Sequence, residues 1–315
     1  MADIKKIATR ESYGNALAEL GKEYDIVVLD ADLSKSTKTD TFKKEFPDRF
    51  INMGIAEQNM MSTAAGLASC GKVVFASSFA MFAAGRAFEQ IRNSICYPNL
   101  NVKIGATHAG ISVGEDGATH QCLEDIGIMR TIPNMVVINP ADDVEARAAV
   151  KAAVLHDGPV YLRFGRLAVP VLYDESDYTF EIGKGVLLED GTDVSIVATG
   201  LMVEPALEAK KLLAADGINA RVINIHTIKP IDKDILVKAA KETGAVVTCE
   251  EHNIIGGLGS AVCEVLAETC PVPVTRVGVL DKFGKSGKVP PLLEEYGLTA
   301  KDIVEKAKAA IALKK

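Results

Sequence analysis

From Asp25 onward, short β-branched runs alternate with longer stretches of helical period. That alternation restricts the chain to mostly parallel sheets flanked by helices. The candidate strands of the first half are DIVVLDAD (25-32), KVVFASSF (72-79), NVKIGATH (101-108), MVVINP (135-140) and PVYLRFG (159-165). Helices fall between them at 12-24, 56-70, 83-95 and 141-156. Asp142 or Asp143 starts the last of these, because a short acidic side chain accepts from the free amides of a first turn. The rhythm is lost from residue 166 and resumes with DVSIVATG, ARVINIHTIKP, AVVTCEEH and VTRVGV, again separated by helical stretches. The chain therefore reads as an α/β domain over 1-170, a linker over 171-192 and a smaller α/β domain over 193-315.

Other features narrow the class of function. No apolar run reaches the ~18 residues that would span a bilayer. The MADIKKIATRES segment lacks the apolar core and cleavage pattern of a secretory leader, so a cytoplasmic protein is expected. The six cysteines form no CxxC pair, which argues against a structural zinc or disulfide framework. A net charge of -7 without a basic block argues against nucleic acid and for a small ligand.

The stretch THAGISVGEDGATHQ (107-121) is the densest in chemistry. His108 ends a strand, where open α/β sheets place their ligands, and glycines at 110, 114 and 117 let the backbone turn tightly. Two histidines suit proton transfer or hydrogen bonds to a polyhydroxylated substrate. Glu115, Asp116, His108 and His120 match no common zinc spacing. Glu57, at the first turn of a predicted helix, has two readings: an acid favoured by the helix dipole, or a catalytic carboxylate. HNIIGGLGSAV (252-262) lacks the full pattern of a phosphate loop and reads as close helix packing. Arg10, Arg163 and Arg166 lie near element ends, solvated by default, although arginine also binds phosphate.

Six motifs in order resemble the C-terminal half of the transketolase family, its pyrimidine-binding domain followed by its C-terminal domain. They are IATRESYGNALAEL (7-20), PDRFINMGIAEQNM (47-60), FAMFAAGRAFEQIR (79-92), THAGISVGEDGATHQ, IPNMVVINPADDVEA (132-146) and HTIKPID (226-232). The resemblance implies thiamine diphosphate as cofactor. By it, Glu57 is the glutamate that bonds the aminopyrimidine and favours its imino tautomer, and Phe79 and Phe82 wall the pyrimidine pocket. A third aromatic is missing at Gly85, with Phe88 as the candidate substitute. Asp116 and His120 match residues that hold ketose hydroxyls, His120 also as a catalytic group; His108, Arg10, Ser36 and Arg166 match the substrate channel and its phosphate end. Ala109 and Gly110 stand where the family often has Asp and Ser.

The family's diphosphate and magnesium motif has no counterpart, since EDG at 115-117 lacks the leading glycine and belongs to another motif. The resemblance thus implies a split transketolase. Its N-terminal, diphosphate-binding subunit holds Mg2+, and the assembly is an α2β2 heterotetramer acting on sugar phosphates. The alternatives are a 1-deoxyxylulose-phosphate synthase-like or modified-sugar enzyme, the β subunit of a 2-oxoacid dehydrogenase, and a noncatalytic regulatory subunit of the same fold. GEDGATHQ speaks against the dehydrogenase. Glu57 kept together with Asp116 and His120 speaks against the noncatalytic subunit.

Overall fold

The computed structural model describes residues 5–314, so the first four residues of MADIKKIATRES lie outside the described residues. The strands, in chain order, are β1 (Lys6–Ala8), β2 (Ile26–Asp30), β3 (Phe50–Asn52), β4 (Val73–Phe79), β5 (Val102–Thr107), β6 (Val136–Ile138) and β7 (Val160–Arg163). They continue with β8 (Ala168–Pro170), β9 (Val186–Glu189), β10 (Val194–Ala198), β11 (Ala220–Asn224), β12 (Thr227–Lys229), β13 (Val246–Asn253) and β14 (Val274–Val279). Seven strands form the first sheet in the order β12-β6-β7-β5-β4-β2-β3, and five form the second in the order β14-β13-β10-β11-β9. Both are parallel except for one antiparallel edge strand each, β12 and β9. The central strands are buried along their whole length, as helices on both faces require, and hence read as continuous apolar runs.

Three departures from the sequence reading have local causes. ARVINIHTIKP is two strands: the chain leaves β11 at Asn224 and β12 crosses to pair with β6, tying the later half into the first sheet. Within the expected linker, Val186–Glu189 pairs with β11. The helix expected over 83-95 is a run of wider turns, with π turns over Met81–Arg86 and Ile91–Cys96 on either side of Phe88–Gln90. Such turns gather at functional sites. Asp142, not Asp143, caps the helix Asp143–Leu155, accepting from the Glu145 amide.

The two halves share an apolar core running from Val27 and Met60 through Ile126 and Met129 to Ile225, Leu258 and Val262. Buried polar groups cross the same boundary. The Glu145 carboxyl accepts from Ala141 N, Tyr178 Oη and Asn224 Nδ2, and burial pushes it up to about 7. Arg163, expected at a solvated element end, is instead buried, with Nε 2.8 Å from Asp125 Oδ2 and Nη2 2.9 Å from the Glu251 carbonyl. The glycines of HNIIGGLGSAV serve close packing: Glu250 accepts from the amides of Leu258 and Gly259 at 2.7 and 2.8 Å. A Cβ at Gly257 would lie 1.9 Å from that carboxylate. The helix terminus a phosphate would need is thus already filled by a side-chain anion.

Candidate active site

Strand order reverses at β2, and the candidate residues gather just beyond the carboxyl ends of the neighbouring strands, where such sheets bind ligands. Register explains the centre of the cluster. Phe79, the last residue of β4, pairs with Thr107, the last of β5, so the next residue, His108, comes against its ring. The two rings stack with centroids 3.8 Å apart. Phe82, three residues on, stacks on Phe79 at 5.9 Å, and the His120 ring meets Phe82 edge-on at 5.3 Å. Glu57 opens the helix Glu57–Ser69 and is only 2% exposed, whereas Ile55 two residues earlier is 80% exposed. A buried carboxyl thus lies two residues from an exposed apolar side chain.

Glu57 has a partner that sequence reasoning missed. Arg86 Nη1 donates to both Glu57 oxygens at 2.8 Å, and its guanidinium lies 4.8 Å from the Phe82 ring centre. The π turn places Arg86 there, four residues after Phe82; this spacing was the available signal. The guanidinium covers the ring face on the turn where the third aromatic is absent, while Phe88 packs against the apolar core. A Cβ at Gly85 would meet the Met81 methyl at 2.4 Å.

His108 has φ +55, the left-handed region where a non-glycine residue carries strain. Arg10 Nη1 donates to its Nε2 at 3.1 Å, since a guanidinium can only donate. The ring proton therefore sits on Nδ1 and points to Thr107 Oγ1 at 2.9 Å. Burial, then the charges of Arg10 and Arg166, push His108 down to about 3. Ring-nitrogen NMR is expected to show no titration of His108 between pH 5 and 8; protonation inside that window would contradict this environment.

Arg10 also donates to the Ser36 carbonyl at 3.0 Å, while its Nε is buried without a partner. Ser36 thus meets Arg10 through its backbone. Arg166 holds the glycine-rich loop, donating to Val113 O at 2.6 Å and to Glu115 at 3.3 Å. Asp116 is exposed on that loop and His120 is half-buried, its Nδ1 2.9 Å from Thr119 Oγ1. The structure therefore brings Glu57, Phe79, Phe82, His108, His120 and Arg10 together, with Arg166 anchoring the loop that carries Asp116. Among the described residues no three His, Cys, Asp or Glu side chains are placed to hold a metal, and no helix is long and apolar enough to cross a membrane.

Two α/β units with this cluster at the carboxyl edge of the first define a class, and comparison with known proteins names it. The transketolase pyrimidine-binding domain matches residues 5–171 and the transketolase C-terminal domain matches 183–303. The chain belongs to the transketolase family and corresponds to its C-terminal half. It is 54% identical over 300 residues to a Methanocaldococcus jannaschii protein named for the transketolase C-terminal section, covering 94% of both chains. It is 46% identical to a 6-deoxy-6-sulfo-D-fructose transketolase subunit of Clostridium sp., covering 95% of this chain and 92% of that one. A solved split-gene transketolase, described as an inactive β4 tetramer, superposes with a TM-score of 0.91 at 58% identity, covering 99% and 100% of the two chains. The Pichia stipitis transketolase solved with sedoheptulose-7-phosphate is 26% identical, TM-score 0.82; this chain spans 46% of its length.

Enzymes of this family use thiamine diphosphate. The residues that the resemblance assigns to its aminopyrimidine gather here: Glu57 is buried and bonded by the half-exposed Arg86, whose guanidinium lies over the Phe82 ring, itself stacked on Phe79.

Proposed function

We propose that this chain is the C-terminal subunit of a split, thiamine-diphosphate-dependent transketolase. It moves a two-carbon ketol unit from a ketose phosphate to an aldose phosphate after pairing with an N-terminal subunit that holds the diphosphate and Mg2+, as α2β2. The observation that carries the reading is the buried Glu57 carboxyl, joined by Arg86 to the Phe82 ring that stacks on Phe79, two residues from the exposed Ile55. A site open at an apolar edge suits completion by another chain.

When bound, the cofactor supplies the electron sink for carbon–carbon cleavage. Glu57 hydrogen-bonds the pyrimidine ring, and Phe79 and Phe82 exclude water from it. Asp116 accepts from ketose hydroxyls, and His120, on the same loop, exchanges a proton with a hydroxyl at the bond being cut. Neutral His108 adds an uncharged contact along the channel, and Arg10 and Arg166 receive the phosphate at its end. The buried, unpartnered Arg10 Nε supports an anion there. Ser36 shapes this end through the carbonyl that holds Arg10.

A second reading, a modified-sugar transketolase, is favoured by the Clostridium relative and by a Phocaeicola vulgatus relative named as one chain of an apulose-4-phosphate transketolase, 41% identical to this chain. The test is reconstitution with the diphosphate-binding subunit, thiamine diphosphate and Mg2+, against a panel of ordinary and modified ketose donors. Ketol transfer is expected from the mixture and almost none from this chain alone. The inactive β4 relative supports that expectation. Transfer at a normal enzymatic rate by the isolated chain would refute the split site, and the preferred donor decides between the two readings.

A further inference from the structure

The loop that carries Asp116 and His120 is gripped by the second domain. Glu251 Oε1 accepts from the Ser112 amide at 2.6 Å, and the Leu123 carbonyl accepts from Asn253 N at 2.8 Å. Ser286 Oγ donates to the Glu115 carbonyl at 2.6 Å. Gln121 Nε2 donates both to Ile111 O at 3.1 Å, inside the loop, and to Lys285 O at 3.0 Å, across the domain boundary. The fit is close: a Cβ at Gly284 would lie 1.8 Å from Gln121 Oε1, and one at Gly110 would lie 2.2 Å from the Glu251 carboxyl carbon.

Within the loop, Gly114 (φ +81) and Gly117 (φ +77) bracket Glu115 and Asp116. Glycine there permits the turn but does not hold it, because its backbone has little preference of its own. Bonds within the loop, such as Gly117 N to Gly114 O at 3.1 Å and His120 N to Gly117 O at 3.0 Å, close its turns, and contacts from outside fix where it stands. The first domain contributes Arg166, which holds Val113 O; the remaining anchors named above come from residues after 250.

We propose that the second domain is the mould for this loop, with Gln121 and Ser286 as positioning residues that set where Asp116 and His120 stand. The consequence for the sugar donor rests on the proposed function; the clamp itself does not. Gln121→Ala removes the bridging amide. Ser286→Ala removes one hydroxyl from an exposed residue, which leaves the core intact, and Ser286→Thr retains it.

Two measurements test the clamp. The first is hydrogen exchange of residues 111-121 in the isolated full chain and in the reconstituted complex, with 57-69 as the internal control. The second is the donor KM and kcat of the complex. Exchange of the loop is expected to rise about ten-fold in Gln121→Ala and about three-fold in Ser286→Ala, with the control segment unchanged. In Gln121→Ala donor KM rises about ten-fold and kcat falls as well, because Asp116 and His120 are displaced together, and Ser286→Thr behaves as wild type. Unchanged exchange, or faster exchange with unchanged donor KM, overturns the proposal. If the wild-type complex moves no ketol unit, the proposed function falls, and the exchange rates alone then support or overturn the clamp.

Discussion

Glu57→Ala in the reconstituted complex is expected to lower turnover by about a thousand-fold while the chain stays folded, a loss equivalent to roughly 4 kcal/mol of transition-state stabilisation. The two readings of this residue predict different losses. An acid placed only for the helix dipole contributes ~0.3–1 kcal/mol to stability and nothing to turnover. The geometry favours the other reading, because Glu57 is buried next to an open edge instead of solvated on a helix face. Truncation is tolerable to the fold: the stranded partner, Arg86, has a half-exposed side chain that water can serve. Turnover within two-fold of wild type, with a lowered melting temperature, would remove Glu57 from the mechanism and leave the dipole as its reason.

The sheet strands were legible because strands buried on both faces must be continuous apolar runs bounded by polar turns, as in Ile26–Asp30 and Val246–Asn253. Residues 79-96 were not, since π turns keep a nearly helical pattern of apolar side chains while shifting their direction. β12 was hidden for a different reason. Its joining of the first sheet depends on where the second domain sits, which no local pattern records. Among the clustered residues, Glu57, Phe79, Phe82 and His120 stand in long motifs, and those motifs are what singled them out as candidates. Arg86 was missed because its partner is twenty-nine residues away in the chain. The grip of Gln121 on Lys285 spans 164 residues. Arg163 was misread for the same cause: at the end of a strand it resembles a solvated cation until Asp125 is brought against it.

That pair yields the largest expected effect on stability. Arg163→Met is expected to cost about 3–5 kcal/mol, the typical loss when one partner of a buried ion pair is removed. Arg163 is 3% and Asp125 0% exposed, so water cannot replace the missing guanidinium. Tyr161 Oη, 2.9 Å from Asp125 Oδ2, would remain as a donor, but Asp125 Oδ1 already lacks a partner. Asp125→Asn combined with Arg163→Met removes the Asp125 charge as well and should recover part of the loss. Denaturant unfolding of the wild type and the two variants measures this. A single-variant loss below about 1 kcal/mol would mean that the apolar core between the two halves holds them together without help from this ion pair.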